Sequence, residues 1–265
     1  VRIAKNAIPL LKPDIVVVCV LDGNDIHQLM RVIEHENDPK VPADKFIGIE
    51  SSAEKVRRYT SIVFPNLLKH FPAKASIQKR WVKDAEKLLS SLSKAQKEKY
   101  NSLTETIKSQ FEKGRLNPSL IYESLNHPNL FTEAADTSNS LCKKAIVRLH
   151  DHLQEVETIS KENGSKTIII SLPNRPYGFK SELNSLTQLG FNVDGCDTLD
   201  GNLPTQQALS QTGIAAIYPL IKGDSLFYKY DGHWSAHGNR IFAQSLITQL
   251  DNLPEWKHFL TSSSF

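Results

Sequence analysis

The chain has 265 residues, 40% apolar and 23% charged, with a net charge of +3. These are the proportions of an ordinary globular protein, with enough length for one large domain or one domain carrying an insertion. The charge is too small to argue for a nucleic-acid partner, and no run of about 18 apolar residues offers a transmembrane segment. Cys19, Cys142 and Cys196 are scattered and odd in number, so they form no visible disulfide framework. Cys19 lies inside an apolar run and is expected to be a buried thiol. The sequence does not fix the compartment.

In chain order, VRIAKNAIPLLKPD predicts a short helix with Ile3, Ala7, Leu10 and Leu11 on one face. DIVVVCVLDGND (14–25) is a β-branched run of the kind that a strand buried on both faces of a parallel sheet needs. IHQLMRVIEHE follows as a helix, with Asn or Asp at its cap. A long helical block then occupies about 51–162. Its core-facing stripes are Trp81, Ala85, Leu88, Leu92 and Ala95, then Leu103, Ile107 and Phe111, then Leu141, Ala145, Leu149 and Leu153. From Lys74 to Arg115 there are 11 Lys/Arg against 5 Asp/Glu, a mildly basic face that reads first as solvated surface.

Asn163-Gly164 ends the block as a helix C-cap, and KTIIISLPN (166–174) is the second strong strand. Weaker strands are predicted around Phe191–Val193 and Ala215–Tyr218. Further helices are predicted over 181–189, 205–211 and 236–250. Strands alternating with helices give an α/β fold with a parallel sheet. The whole of 1–265 is expected to be a single domain. The block at 51–162 far exceeds an ordinary crossover and is expected to be a helical insertion, a cap over the carboxyl edge of the sheet.

Sites in such sheets form at the carboxyl ends of strands. There the first strong strand delivers Gly23-Asn24-Asp25, either as a plain strand-to-helix turn or with Asn24 as a side-chain donor to a developing oxyanion. YKYDGHW (228–234) places Asp231 and His233 two apart on a loop, where both side chains project to one side. A carboxylate so placed can hold one imidazole nitrogen and leave the other as a general base. A bare D-x-H on an exposed loop can also be an ordinary surface histidine. Metal readings are weak: His233 and His237 lack the Glu of H-E-x-x-H, and His150 and His152 fall on different sides of a helix.

Taken together, two stretches resemble the SGNH (GDSL-type) hydrolase superfamily. PDIVVVCVLDGNDI resembles its strand ending in a glycine and the oxyanion-hole asparagine. FYKYDGHWSAHGNRIFAQSL resembles its last block, Asp and His before a terminal helix, and KTIIISLPNRPYG fits between. The likeness covers about 1–36 and 140–250 and points to bacterial members with a D-G-H-W signature. It implies a flavodoxin-like three-layer αβα parallel sheet (the SGNH hydrolase fold) with a long helical insertion. By the resemblance Asn24 is an oxyanion donor, His233 the general base and Asp231 its orienting carboxylate. No metal or organic cofactor is implied. The implied substrate is an acylated carbohydrate or another ester, with O-acetyl groups foremost.

The chain departs from the family in three ways. The common D-x-x-H is D-x-H here, a form of the wall- and polysaccharide-acetylation relatives. The usual G-x-N-D has Asp22 at its glycine. The serine of the family's Gly-Asp-Ser turn precedes the asparagine block, yet the 13 residues before Asp14 contain no serine. The expectation is therefore that the first strands and the nucleophile segment are missing and that this chain alone is inactive. The letters GDS at 223–225 stand after the oxyanion block with no buried strand ahead, so Ser225 is set aside as nucleophile. Two rival readings remain, a polysaccharide O-acetyltransferase and a non-catalytic relative that binds glycan in the same cleft.

Overall fold

A computed structural model describes residues 1–38, 77–177, 179–221, 225–230 and 233–253. In order they form α1 (Arg2–Leu11), β1 (Ile15–Leu21), α2 (Asn24–Asn37), α3 (Ile77–Ser91), α4 (Lys94–Ser102) and α5 (Glu105–Glu112). There follow α6 (Pro118–Asn126), α7 (Leu130–Ala135), α8 (Ser140–Glu162), β2 (Lys166–Leu172), α9 (Lys180–Gln188), α10 (Leu203–Leu209), β3 (Ala215–Ile217) and α11 (Ala236–Leu250).

The three strands make a parallel sheet in the order β1-β2-β3, with Ile15 opposite Lys166, Leu21 opposite Leu172 and Ile168 opposite Ala215. The expectation of an α/β protein with a parallel sheet holds. One face of the sheet carries Val20 and Ile169. They pack with Ile26, Met30 and Ile33 of α2, Ala145, Leu149 and Leu153 of α8, and Ala208 and Leu209 of α10. The i, i+4, i+7 spacing of Ile26, Met30 and Ile33 puts all three on one stripe of α2, and all three are buried. The other face, with Ile168, Ile170 and Ile217, is covered by Phe242, Leu246 and Leu250 of α11.

A second core lies in the helical block, where Ala85, Leu88, Leu92, Leu103, Ile107 and Phe111 meet Leu186, Leu189 and Phe191. Helix starts here follow local chemistry. Ser93 and Gln96 form a reciprocal capping box, Thr104 caps α5, and Asn117 caps α6 ahead of Pro118. At the far end of α8, Gly164 adopts φ +75°, the left-handed turn that lets the chain leave the helix for β2.

Several expectations are corrected. Phe191–Val193 is not a strand: Asn192 N–H donates to Pro128 O, and Phe191 and Val193 are spent on the helical core instead of on a sheet edge. Ala95 is exposed because the capped break at Ser93 ends the stripe of α3, and Tyr100 is the buried residue of α4. In α1, Ile3, Leu10 and Leu11 are exposed and only Ile8 is buried. Residues 51–76 of the expected helical block lie outside the described residues.

The strand β1 is also not buried on both faces. Val20 is 2% exposed, but Val17 is 49% exposed and the Cys19 thiol is exposed on that same side. Among the described residues β1 pairs only with β2, and α11 lies on the same face as Val17 and Cys19 but covers Ile168, Ile170 and Ile217 of β2 and β3, leaving the two β1 side chains exposed. Cys142 and Cys196 are fully buried. We therefore expect one of the three cysteines of residues 1–265 to react with an aromatic disulfide reagent in the folded state, and all three after denaturation. Partial burial and the nearby Asp25 raise the Cys19 thiol pKa, so this reaction should accelerate as pH rises above neutrality. Zero or three fast thiols in the native state would contradict the arrangement.

Candidate functional site

Two neighbouring strands deliver turns to the carboxyl edge of the sheet. After Leu21 the chain turns at Gly23 (φ +72°), and Asn24 is the first residue of α2. A Cβ on Gly23 would stand 2.4 Å from the hydroxyl oxygen of Tyr177. A Cβ on Gly201 would likewise run into the ring of the same tyrosine. Tyr177 thus wedges between two glycines and donates its hydroxyl proton to Phe131 O at 2.7 Å. The carboxylate of Asp25 accepts from Leu21 N–H at 2.8 Å and from the Asn24 side chain, while burial raises its pKa. The Asn24 amide carries two N–H donors, so the bond to Asp25 orients the group and leaves one donor to spend.

In the sequence Asp22 stands out only as a departure from a glycine, but in the structure it is a centre of the edge. It is 1% exposed. Its Oδ1 accepts from Thr205 Oγ1 at 3.0 Å, and the Ser171 hydroxyl lies 2.7 and 2.6 Å from its two oxygens. Ser171 Oγ also lies 2.9 Å from Asn202 Oδ1. Burial pushes the Asp22 carboxyl up to about 7, against the pull of the Ser171 and Thr205 hydrogen bonds, with smaller upward contributions from Asp200 and Asp25.

Three residues past Leu172, Arg175 is 1% exposed and turns back under the neighbouring loop. Its Nε donates to Glu182 Oε2 at 3.2 Å, its Nη2 to Ser185 Oγ, and Nη2 also to Lys229 O at 2.7 Å. The last bond ties the histidine-bearing loop to the segment that leaves β2. Tyr230 O–H donates to Gln188 Oε1 at 2.6 Å as a second tie. Phe227 and Trp234 pair as an isolated antiparallel bridge, with ring centroids 4.4 Å apart, and Tyr228 N–H donates to His233 O. Ser235 then caps α11 through Gly238 N–H. Gly238 has no room for a side chain, because a Cβ would stand 2.0 Å from Leu226 O.

Of the predicted site residues, Asn24 stands at the carboxyl end of β1. His233 is exposed at the end of the anchored loop, and Asp231 lies outside the described residues. Ser225 is exposed on a bend at φ +58°, where its carbonyl accepts from Ser235 Oγ at the start of α11. Gly223 and Asp224 of the same GDS triplet lie outside the described residues. His150 is spent on Ala208 O at 2.9 Å, and no group of three His, Cys, Asp or Glu residues suited to a metal occurs among the described residues. No helix among them is long and apolar enough to cross a membrane.

In comparisons with known proteins no family model matches the chain, and no curated protein or solved structure shows a significant similarity.

Proposed function

We propose that these residues belong to an SGNH-type ester hydrolase acting on O-acyl groups, O-acetyl foremost, carried by carbohydrate. The observation that carries the reading is a coincidence at one edge of the sheet. Leu21 and Leu172 are register partners. Three residues beyond the first stands Asn24, an amide donor. Three residues beyond the second stands Arg175, which holds the loop of the D-G-H-W motif. An amide donor and the anchor of the loop that leads to His233 thus stand at adjacent strand ends, which supports a reading with one oxyanion donor and one general base for acyl transfer.

In this reading His233 takes the proton of a serine hydroxyl as that oxygen attacks the ester carbonyl. Asp231 steadies the imidazolium, and Asn24 donates to the oxyanion. His233 then returns the proton to the leaving alcohol, and water repeats the sequence to release the acid. No serine precedes Asn24 in residues 1–265. The serine is proposed to come from outside them, on a strand lying along the edge of β1 that no described strand occupies, in a flavodoxin-like sheet. Sequencing the coding DNA upstream of Val1 tests this: an apolar strand ending in Gly-Asp-Ser supports it. A start codon immediately before Val1 removes the nucleophile and sinks the hydrolase reading.

A non-catalytic protein that binds glycan in the same cleft is the second reading. An O-acetyltransferase would use the same groups and be distinguished by transfer from an acyl donor to sugar in preference to water. Asn24→Ala in the full-length protein separates catalysis from binding. We expect kcat to fall roughly 10²–10³-fold on an acetylated glycan, the usual cost of one oxyanion donor, with little change in KM. Unchanged turnover would remove Asn24 from the site.

A further inference from the structure

Beside Asp22 lies a cavity of about 180 Å³, lined by Asp22, Asn174, Tyr177, Asp200 and Asn202 together with Pro173, Leu199 and Gly201. It is smaller than the roughly 300–1,000 Å³ of a site for a drug-sized ligand and suits one edge of a ring. Its hydrogen-bonding groups are unevenly spent. Asn174 is 7% exposed, and its Oδ1 accepts from Arg175 N–H at 2.8 Å. Asn202 Oδ1 is taken up beside Ser171. Among the described residues, neither amide nitrogen, Asn174 Nδ2 or Asn202 Nδ2, has a protein partner. Two side chains that each keep an amide donor unspent on protein therefore line one small cavity, and one of them, Asn174, is more than nine-tenths buried.

The proton count around Ser171 explains how this donor pair is held. Ser171 has one hydroxyl proton and three oxygen neighbours, Asp22 Oδ1, Asp22 Oδ2 and Asn202 Oδ1, all within 2.9 Å. If Asp22 carries a proton, all contacts close. Asp22 donates to Ser171 Oγ, Ser171 donates to Asn202 Oδ1, and Thr205 donates to Asp22 Oδ1. The Asn202 carbonyl is then fixed inward, which leaves its Nδ2 for the cavity. If Asp22 ionises, Ser171 must donate to the carboxylate. Asn202 Oδ1 then faces a lone pair, and the amide is driven to turn its nitrogen inward. Ionisation thus exchanges a donor for an acceptor on the cavity wall.

We propose that this cavity is a subsite for the hydroxyl-bearing edge of a sugar ring, competent while Asp22 is protonated. A polyhydroxyl edge offers the acceptor lone pairs that the two amides call for and the donors that the exposed Asp200 carboxylate accepts. An anionic ligand would meet the acidic Asp200 on the cavity wall, and Asp25, the other charged group that acts on Asp22, is acidic too. Tyr177 and Tyr218 also feel the Asp22 charge, and both phenols are raised by burial first, so they remain neutral beside it. The subsite rests on the carbohydrate-ester reading and adds to it where the sugar sits and over what pH it is held.

The test is titration with glucose, followed by the side-chain amide NMR signals of Asn174 and Asn202 in the full-length protein. Tetrahydropyran, a ring without hydroxyls, and acetate serve as controls. With a carboxyl titrating at about 7, the competent fraction falls to about 3% at pH 8.5, so the apparent affinity should drop about thirtyfold between pH 5.5 and 8.5. Asp22→Asn retains a donor and an acceptor on the same frame, so it should bind glucose with little pH dependence. Should that variant fail to fold, the wild-type pH series decides alone. No glucose response, a response flat in pH, or an equal response to tetrahydropyran or acetate overturns the proposal. Glucose binding without ester turnover leaves the subsite standing and removes the hydrolase reading. Turnover without glucose binding does the reverse.

Discussion

Arg175→Ala should destabilise the fold by about 3–5 kcal/mol, the usual cost of stripping one partner from a buried ion pair. The guanidinium is 1% exposed and serves Glu182, Ser185 and Lys229 O together. Its removal leaves the Glu182 carboxylate, 9% exposed, without its cation, and it frees the loop that leads to His233. Arg175→Lys should recover little, because one ammonium group cannot reproduce a planar fork that reaches three elements. Replacing both partners, Arg175→Met with Glu182→Gln, should cost less than Arg175→Ala alone, since no charge is then stranded. Urea denaturation followed by far-UV circular dichroism measures all three. A loss below about 1 kcal/mol for Arg175→Ala would mean that the loop is held some other way.

Asp22 gives the second large effect, and its sign is opposite to that of an ordinary carboxylate. The folded protein binds this proton more tightly than the unfolded chain, with a pKa of about 7 against 3.8. Its contribution to stability is fully present below about pH 4 and is lost as pH rises through 7. The gap corresponds to on the order of 4 kcal/mol for a group that solvent barely reaches. Asp22→Asn abolishes the titration while keeping a donor for Ser171 and an acceptor for Thr205. The variant should therefore gain stability relative to wild type between pH 4 and 8, by several kcal/mol. Unfolding curves collected across that range provide the check, and a difference constant with pH would show that Asp22 is already ionised in the fold.

The sheet was legible because its signals are local. Two β-branched runs bounded by Asp-Gly and Pro-Asn became β1 and β2, and the helix expected over 236–250 runs from Ala236 to Leu250. What misled was apolarity without information about the partner. Phe191 and Val193 look like a strand but fill the helical core, while Val17 and Cys19 look buried but face outward. The edge residues show the same division. Asn24 and His233 could be placed from sequence, because a strand end and a helix start locate them. The buried cluster could not, since Asp22 meets Ser171 across 149 residues and Thr205 across 183. Nothing in the periodicity of either segment announces such a pairing. The only sign was Asp22 itself, a carboxylate where a glycine was expected. Arg175 gave no sign, since its place in NRPYG suggests a polar turn and its burial follows only from Glu182 and the loop around Lys229.

Acetate release from an O-acetylated glycan by the full-length protein, with and without His233→Ala, decides whether this edge of the sheet hydrolyses esters. We expect steady turnover in the wild type and a loss of roughly 10²–10⁴-fold in the variant, with glycan binding retained. Turnover unaffected by His233→Ala, or glycan binding with no acetate released by the wild type, would contradict this.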